Sequence, residues 1–184
     1  MKLIAKREII STKPFAVEEL QLARGDRAIE SPYYRLNAPD WVNILPILSD
    51  GRALLIRQVR AGTLRPVLEI PGGMIDLGEY DPTMAAVREL EEETGFSSQR
   101  ILPLGSINPN PAIMTNRVHF FLALSAYPVA SRKHFPDPEE QIETVFFPTT
   151  DLEHLVRTGQ IDHALAALCI LLAGKYIDIG RSQA

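Results

Sequence analysis

Short apolar runs broken by turn-forming residues fill the first third of the chain. From Lys2 to about Val59, β-branched and aromatic positions are cut by Pro14, Gly25-Asp26, Pro32, Pro39 and Asp50-Gly51, which predicts several short strands. The sharpest break is Asp50-Gly51. It lies between Ile44-Leu45-Pro46-Ile47-Leu48 and Ala53-Leu54-Leu55-Ile56, the pattern of a hairpin closed by a pair that tolerates positive φ. Leu68-Glu69-Ile70 then runs into a further break, Pro71-Gly72-Gly73.

Helical periodicity follows. Asp81 is placed as N-cap, Pro82 at the first helical position and Gly95 just past the last turn. On a helical wheel Met84, Val87, Leu90 and Thr94 share one side, and Glu89, Glu92 and Glu93 cluster roughly opposite. This predicts a helix that packs by its first side and shows an acidic face on the other. Ile101 to Ile107 and Arg117 to Tyr127 read as strands around a loop containing Asn108-Pro109-Asn110-Pro111. Ser131 to Glu140 is a polar, proline-bearing loop, Ile142 to Phe147 a last strand, and two helices follow at about Asp151 to Thr158 and Ile161 to Tyr176. An α/β class with a mixed sheet flanked by helices fits this order, with the first ~40 residues as a separate small sheet.

Composition narrows the function. The 184 residues, 46% hydrophobic and 23% charged, fit one globular core and exclude a disordered or low-complexity chain. A net charge of -4 with no basic run argues against nucleic acid as a partner. Cys169 is the single cysteine, so no internal disulfide forms, and its apolar helical surroundings predict a small buried hydrophobe in a reducing compartment. Met1-Lys2-Leu3-Ile4-Ala5-Lys6 lacks a secretory apolar region, and Ala164 to Gly174 is too short to span a membrane. A cytoplasmic protein without a membrane partner is expected.

The acidic side of the predicted helix carries the candidate chemistry. Like charges at Glu89 and Glu93 cost a few tenths of a kcal/mol in an isolated helix, and Arg88 relieves only part of this by reaching Glu92. A cation is therefore expected there. Oxygen-only ligands suit a hard ion such as Mg²⁺, completed by substrate phosphates, and Gly72-Gly73 lets bare backbone approach an ion or a phosphate closely. The competing reading is a solvated charged helix face after a turn.

The spacing favours the first reading. Gly73, Glu79, Arg88, Glu89, Leu90, Glu92, Glu93, Gly95 and Phe96 closely resemble the Nudix box, G-x5-E-x7-R-E-U-x-E-E-x-G-U, where U is a bulky apolar residue. One departure is visible: eight residues, Tyr80 to Val87, separate Glu79 from Arg88 where the pattern has seven. The extra residue falls at or before the Asp81-Pro82 helix start. Further likeness points to the branch that cleaves ADP-ribose and nucleotide sugars. Arg57-Gln58-Val59-Arg60 followed by Leu68 to Gly73 is similar to that branch's R-Q-x-R strand, and Pro111, 15 residues after Phe96, is similar to its marker proline. Gly159-Gln160-Ile161-Asp162 is similar to its C-terminal helix entry. Pro111-Ala112 replaces the usual Pro-Gly, and Asn116 stands where many such enzymes carry an acid, which leaves the sugar open.

The resemblance implies an α/β/α sandwich with a mixed sheet over residues 41–184, preceded by a small antiparallel sheet over residues 1–40 that serves a homodimer. It implies that Glu89, Glu92, Glu93 and the Gly72 carbonyl hold Mg²⁺, with Mn²⁺ as the substitute, and that Arg88 orients the glutamates. The general base would come from a late loop, with Glu140 first, then Glu139 and Glu143. Arg57 and Arg60 suit the diphosphate or the terminal phosphate because a guanidinium binds phosphate bidentately, although strand alternation points them to opposite faces. Tyr33, Tyr34 and Trp41 are the nucleobase-stacking candidates, and Gly73 and Pro111 complete the substrate side. The implied reaction is Mg²⁺-dependent hydrolysis of ADP-ribose or another nucleoside diphosphate sugar to a monophosphate and a sugar phosphate. The alternatives are a triphosphate or dinucleotide pyrophosphatase and a non-hydrolysing sensor. Glu91 and the histidines at 119, 134, 154 and 163 carry no assigned chemistry.

Overall fold

The computed structural model describes residues 1–136 and 141–180. The chain forms two compact units: Met1–Trp41 with Ser106–Val118, and Val42–Gly105 with the chain from His119 onward.

The first unit is built around a central strand. β1 (Lys2–Ser11), β2 (Ala16–Arg24), β3 (Arg27–Ala28) and β4 (Tyr33–Asn37) form an antiparallel sheet in which β2 pairs with each of the others. Glu18 of β2 ties three strands together, accepting from Lys6 Nζ at 2.9 Å on β1 and from Arg35 Nε at 2.7 Å on β4. β1 is exposed along its whole length. Residues from the 106–118 segment extend the β4 side, since Leu36 N–H donates to Ile113 O at 2.7 Å and Thr115 N–H to Leu36 O at 3.1 Å.

The second unit holds the mixed sheet. Its strands are β5 (Trp41–Leu48), β6 (Arg52–Arg60), β7 (Arg65–Glu69), β8 (Gly72–Met74), β9 (Phe96–Ser97), β10 (Arg100–Ile107), β11 (Val118–Pro128) and β12 (Ile142–Pro148). They run in the order β10-β11-β5-β6-β12, with β7 beside β6, β8 beside β5 and β9 beside β11. The Asp50-Gly51 hairpin joins β5 to β6 as expected. Gly51 sits at φ 83°, where an L side chain is disfavoured, and Asp50 Oδ1 accepts the Arg52 N–H at 3.1 Å.

Helices complete the α/β/α layers. They are α1 (Pro82–Thr94), α2 (Leu152–Arg157) and α3 (Ala164–Ala173). α1 packs its Ala85, Ala86 and Leu90 against Val42 and Ile44 of β5 and Phe121 and Ala123 of β11. Leu90 is fully buried, which is worth about 1.5–3 kcal/mol. α3 buries Ala166, Cys169, Ile170 and Ala173, and burial pushes the Cys169 thiol up, so it behaves as a hydrophobe. α3 begins later than the apolar pattern suggests, because His163 caps it: Nδ1 accepts the Ala166 N–H at 3.3 Å. Among the described residues no helix is long and apolar enough to cross a membrane.

Candidate active site

Capping sets the register of α1, and the register decides where its charges lie. Asp81 Oδ1 accepts the Thr83 N–H at 2.9 Å, Pro82 opens the helix, and Gly95 at φ 74° closes it by donating to Glu91 O at 2.8 Å. The buried residues are Ala85, Ala86, Glu89 and Leu90, while Met84 is 62% exposed. The packing side is therefore turned from the one the wheel indicated, and only Leu90 of that side is fully buried. Two alanines, weak apolar signals by themselves, make the contact with the sheet, and Glu89 and Glu93 turn toward the protein.

The glycine pair makes room for those acids. A Cβ on Gly73 would lie 2.5 Å from Glu89 Oε1, and one on Gly72 would lie 2.3 Å from the Val42 carbonyl oxygen. The close approaches seen at these glycines are thus to the protein's own carboxylate and backbone. Glu93 Oε2 accepts the Gly72 N–H at 2.9 Å, so a carboxylate of α1 docks the helix onto the glycine turn.

Arg88 is the hub of the remaining acids. Its Nε and Nη2 donate to the two oxygens of Glu79, each at 3.0 Å, and Nη2 also donates to Met74 O at 3.0 Å. Nη1 donates to Glu89 Oε1 at 2.9 Å and to Glu92 Oε2 at 2.8 Å. The extra residue before the helix does not disturb this pairing. Glu79 closes a turn with Asp76 through reciprocal hydrogen bonds of 3.0 Å, and Tyr80 stands out into solvent.

One arginine does not balance this cluster. Hydrogen bonding to Arg88 holds the Glu79 carboxyl below its ordinary range. Burial pushes Glu89 up to about 7, against the pull of Arg88, and Glu92 adds to the rise. Burial also raises Glu93 well above the ordinary carboxylate range despite its bond from Gly72. Two buried acids short of positive charge, with oxygen as the only donor type, form a set that suits a hard divalent cation. Among the described residues no three acidic, imidazole or thiol side chains converge on one point, because the Glu89 and Glu92 oxygens are drawn to Arg88 and those of Glu93 to Gly72.

The two strand arginines part as alternation requires. Arg57 lies opposite Glu143 in the β6–β12 register and donates to it at 2.8 Å. Arg60 forms a two-pronged pair with Glu69, Nε to Oε1 at 2.8 Å and Nη2 to Oε2 at 3.0 Å. Arg57, Val59, Pro66, Gln141 and Glu143 border an open cavity of about 300 Å³. Glu139 and Glu140 lie outside the described residues. In the first unit Tyr33 and Tyr34 are 42% and 53% exposed, and the Tyr34 hydroxyl donates to Glu19 at 3.2 Å. Trp41 is half-buried and Pro111 is exposed.

Three contributors were missed by sequence reasoning, two of them with no signal at all. Glu91 accepts the backbone N–H of Lys133 and, at 3.3 Å, that of His134. Arg132 lies across the end of α1, donating to Glu91 O at 3.0 Å and to Glu92 O, and supplies the cation that the last turn of α1 lacks. Loop arginines and exposed helix glutamates are common, so only the fold distinguishes these two. Glu69 had a weak signal: an acid between Leu68 and Ile70 in an apolar strand demands a partner.

Comparison with known proteins gives a consistent neighbourhood. Residues 39–168 match the model of the NUDIX domain. The chain is similar to an ADP-ribose pyrophosphatase of Bacillus subtilis (strain 168), 30% identical over 171 residues, 92% of this chain and 90% of the relative. It is also similar to the ADP compounds hydrolase NudE of Escherichia coli (strain K12), 26% identical over 173 residues, 92% of this chain and 89% of that one. A crystal structure of an ADP compounds hydrolase superposes with a TM-score of 0.81 at 25% identity, covering 95% of this chain and 92% of the other.

Proposed function

This chain belongs to the Nudix family of hydrolases, and we propose that it splits the diphosphate bond of ADP-ribose or another nucleoside diphosphate sugar. The products are a nucleoside monophosphate and a sugar phosphate. The observation that carries this reading is the pair of buried box acids, Glu89 and Glu93, docked on a side-chain-free turn with a single arginine to balance them. The names of the two relatives, an ADP-ribose pyrophosphatase and an ADP compounds hydrolase, support the substrate class.

A diphosphate resists hydrolysis because its negative oxygens repel the nucleophile, so the site must neutralise charge and fix orientation. Glu89, Glu92, Glu93 and the Gly72 carbonyl would hold divalent cations, Mg²⁺ by preference and Mn²⁺ in its place. Such ions, when bound, neutralise phosphate oxygens and lower the pKa of a bound water. The protein's own residues do the rest. Arg88 keeps Glu89 and Glu92 aligned from one guanidinium and anchors Glu79 and Met74 O, so the acids cannot spread apart under mutual repulsion. Arg60 contacts the diphosphate from the Glu93 side, and Arg57, tied to Glu143, serves the outer end of the substrate. The general base comes from the late loop, Glu140 first, with Glu139 and Glu143 behind it. Tyr33, Tyr34 and Trp41 are proposed for the nucleobase, and Gly73 and Pro111 for the substrate side. A cytoplasmic homodimer formed through residues 1–40 completes the proposal, with residues 41–184 as the hydrolase domain.

The test is product analysis over ADP-ribose, other nucleoside diphosphate sugars, dinucleotides and nucleoside triphosphates, each with Mg²⁺ and with EDTA. Metal-dependent release of a monophosphate from ADP-ribose or a sugar nucleotide is the expected result. Cleavage confined to triphosphates or dinucleotides overturns the substrate class, and tight binding without turnover makes the chain a sensor.

A further inference from the structure

Glu69 is a fully buried acid at the end of an apolar strand, 1% exposed. Removing a carboxylate from water is costly, so what surrounds it indicates what it is for. Arg60 grips both of its oxygens, at 2.8 Å and 3.0 Å. His163 is a second ionisable neighbour, its Nδ1 3.6 Å from Glu69 Oε2. That nitrogen accepts the Ala166 N–H that caps α3, so the ring proton sits on Nε2 and Nδ1 offers Glu69 nothing to bind. The Glu69 carboxylate is therefore committed to Arg60.

The pair adjoins the box acids. Three residues after Glu69, the Gly72 N–H is held by Glu93 at 2.9 Å, so a short run of chain is pinned at one end to Arg60 and at the other to α1. Arg60 and Glu69 both lie near enough to Glu93 for their charges to act on it, in opposite senses. The two partners differ in exposure. The Glu69 side chain is 1% exposed, whereas that of Arg60 is 43% exposed. A guanidinium whose plane is fixed by a two-pronged buried acid is pre-organised for a second planar or phosphate oxygen pair, because its rotamers are already restricted.

We propose that Glu69 is a positioning residue for the reaction: it fixes the plane and direction of the Arg60 guanidinium beside Glu93, so that Arg60 meets the diphosphate in one orientation. This rests on the reading of Arg60 as a diphosphate contact. A pair serving stability alone would make no demand on substrate affinity.

The experiment is a double-mutant cycle on the 184-residue chain with Mg²⁺ and ADP-ribose, recording KM, kcat and the melting temperature. In Glu69→Gln the amide nitrogen faces an arginine N–H, donor against donor, and the guanidinium turns away. KM is expected to rise about tenfold or more, with kcat falling by less. Arg60→Ala is expected to raise KM at least as much, and the double variant should be no worse than Arg60→Ala alone. Unchanged KM in Glu69→Gln, or KM effects that multiply in the double variant, overturns the proposal. Unchanged KM in Arg60→Ala instead overturns the reading of Arg60, leaving Glu69 a purely structural acid. If Glu69→Gln does not fold, Glu69→Asp replaces it under the same criteria, since it keeps the charge but shortens the reach by one methylene.

Discussion

Adding one methyl group at each of two adjacent glycines should give opposite outcomes. At Gly73 the new Cβ would stand 2.5, 2.7 and 2.8 Å from Oε1, Cδ and Oε2 of Glu89, where ordinary contact begins near 3.4 Å. The carboxylate must retreat by about 0.6–0.9 Å, and it can, because it ends a flexible side chain; but it then leaves its 2.9 Å bond from Arg88. A displacement approaching 1 Å in a site built on orientation costs on the order of a hundredfold in rate. At Gly72 the obstacle is backbone: Val42 O at 2.3 Å and Asn43 Cα at 3.0 Å. Strand β5 cannot yield by an ångström without losing packing, so Gly72→Ala should destabilise by about 3 kcal/mol, or roughly 6–12 °C in melting temperature for a chain of this size. Thermal melts and initial rates on ADP-ribose with saturating Mg²⁺ separate the two. Gly73→Ala should melt near the parent temperature with kcat down about a hundredfold; Gly72→Ala should melt early. A Gly73→Ala variant within threefold of the parent kcat, or a Gly72→Ala variant with an unchanged melt, refutes the assignment of these glycines.

Further outcomes follow from the same site. Glu93→Gln keeps the bond from Gly72 but loses the charge, and turnover should vanish in a folded protein; unchanged kcat rejects the metal-site reading. Burial holds the Glu89 proton until about pH 7, so a divalent cation must displace it, and affinity should rise by up to about tenfold per unit between pH 5.5 and 7. The sign for stability is opposite: a carboxyl raised above its unfolded value of 4.5 removes stability as pH climbs from there through about 7, and cation restores it. A cation affinity that stays flat across that window by titration calorimetry contradicts the first, and a metal-free unfolding free energy that does not fall across it contradicts the second. Arg132→Ala strips the cation from the end of α1 and should lower stability by about 0.5–2 kcal/mol, read from urea melts, with a matched loss absent in Lys133→Ala.

Much of this was readable in advance for a physical reason. Caps, hairpin residues and the box spacing are local: Asp81-Pro82, Gly95 and Asp50-Gly51 act within a few residues of themselves, and they stand where the pattern puts them. The orientation of α1 is not local. A wheel weighted by side-chain hydrophobicity favours Met84 and Val87, but the neighbour is a glycine turn on a strand, where small residues fit and carboxylates find backbone N–H and arginine. Partnerships of high sequence separation were equally hidden. Nothing in residues 106–118 announces that they extend the sheet of β4, and nothing in Ser131 to Phe135 announces Arg132 as the cap of α1. Alternation did separate Arg57 from Arg60, because a strand's two faces need only counting.

The inward-facing acids of α1 have a consequence for how this protein can evolve or be engineered. A helix that buries Glu89 and Glu93 against a sheet is held in a less favourable state than an apolar helix of the same shape. On the proposed metal-site reading, a screen for heat resistance alone would favour loss of these charges at the expense of turnover. Libraries should hold residues 89 and 93 fixed, leave the proposed dimer strand β1 alone, and seek their gains at exposed positions such as Met84 and Tyr80, where solvent already sets the surroundings.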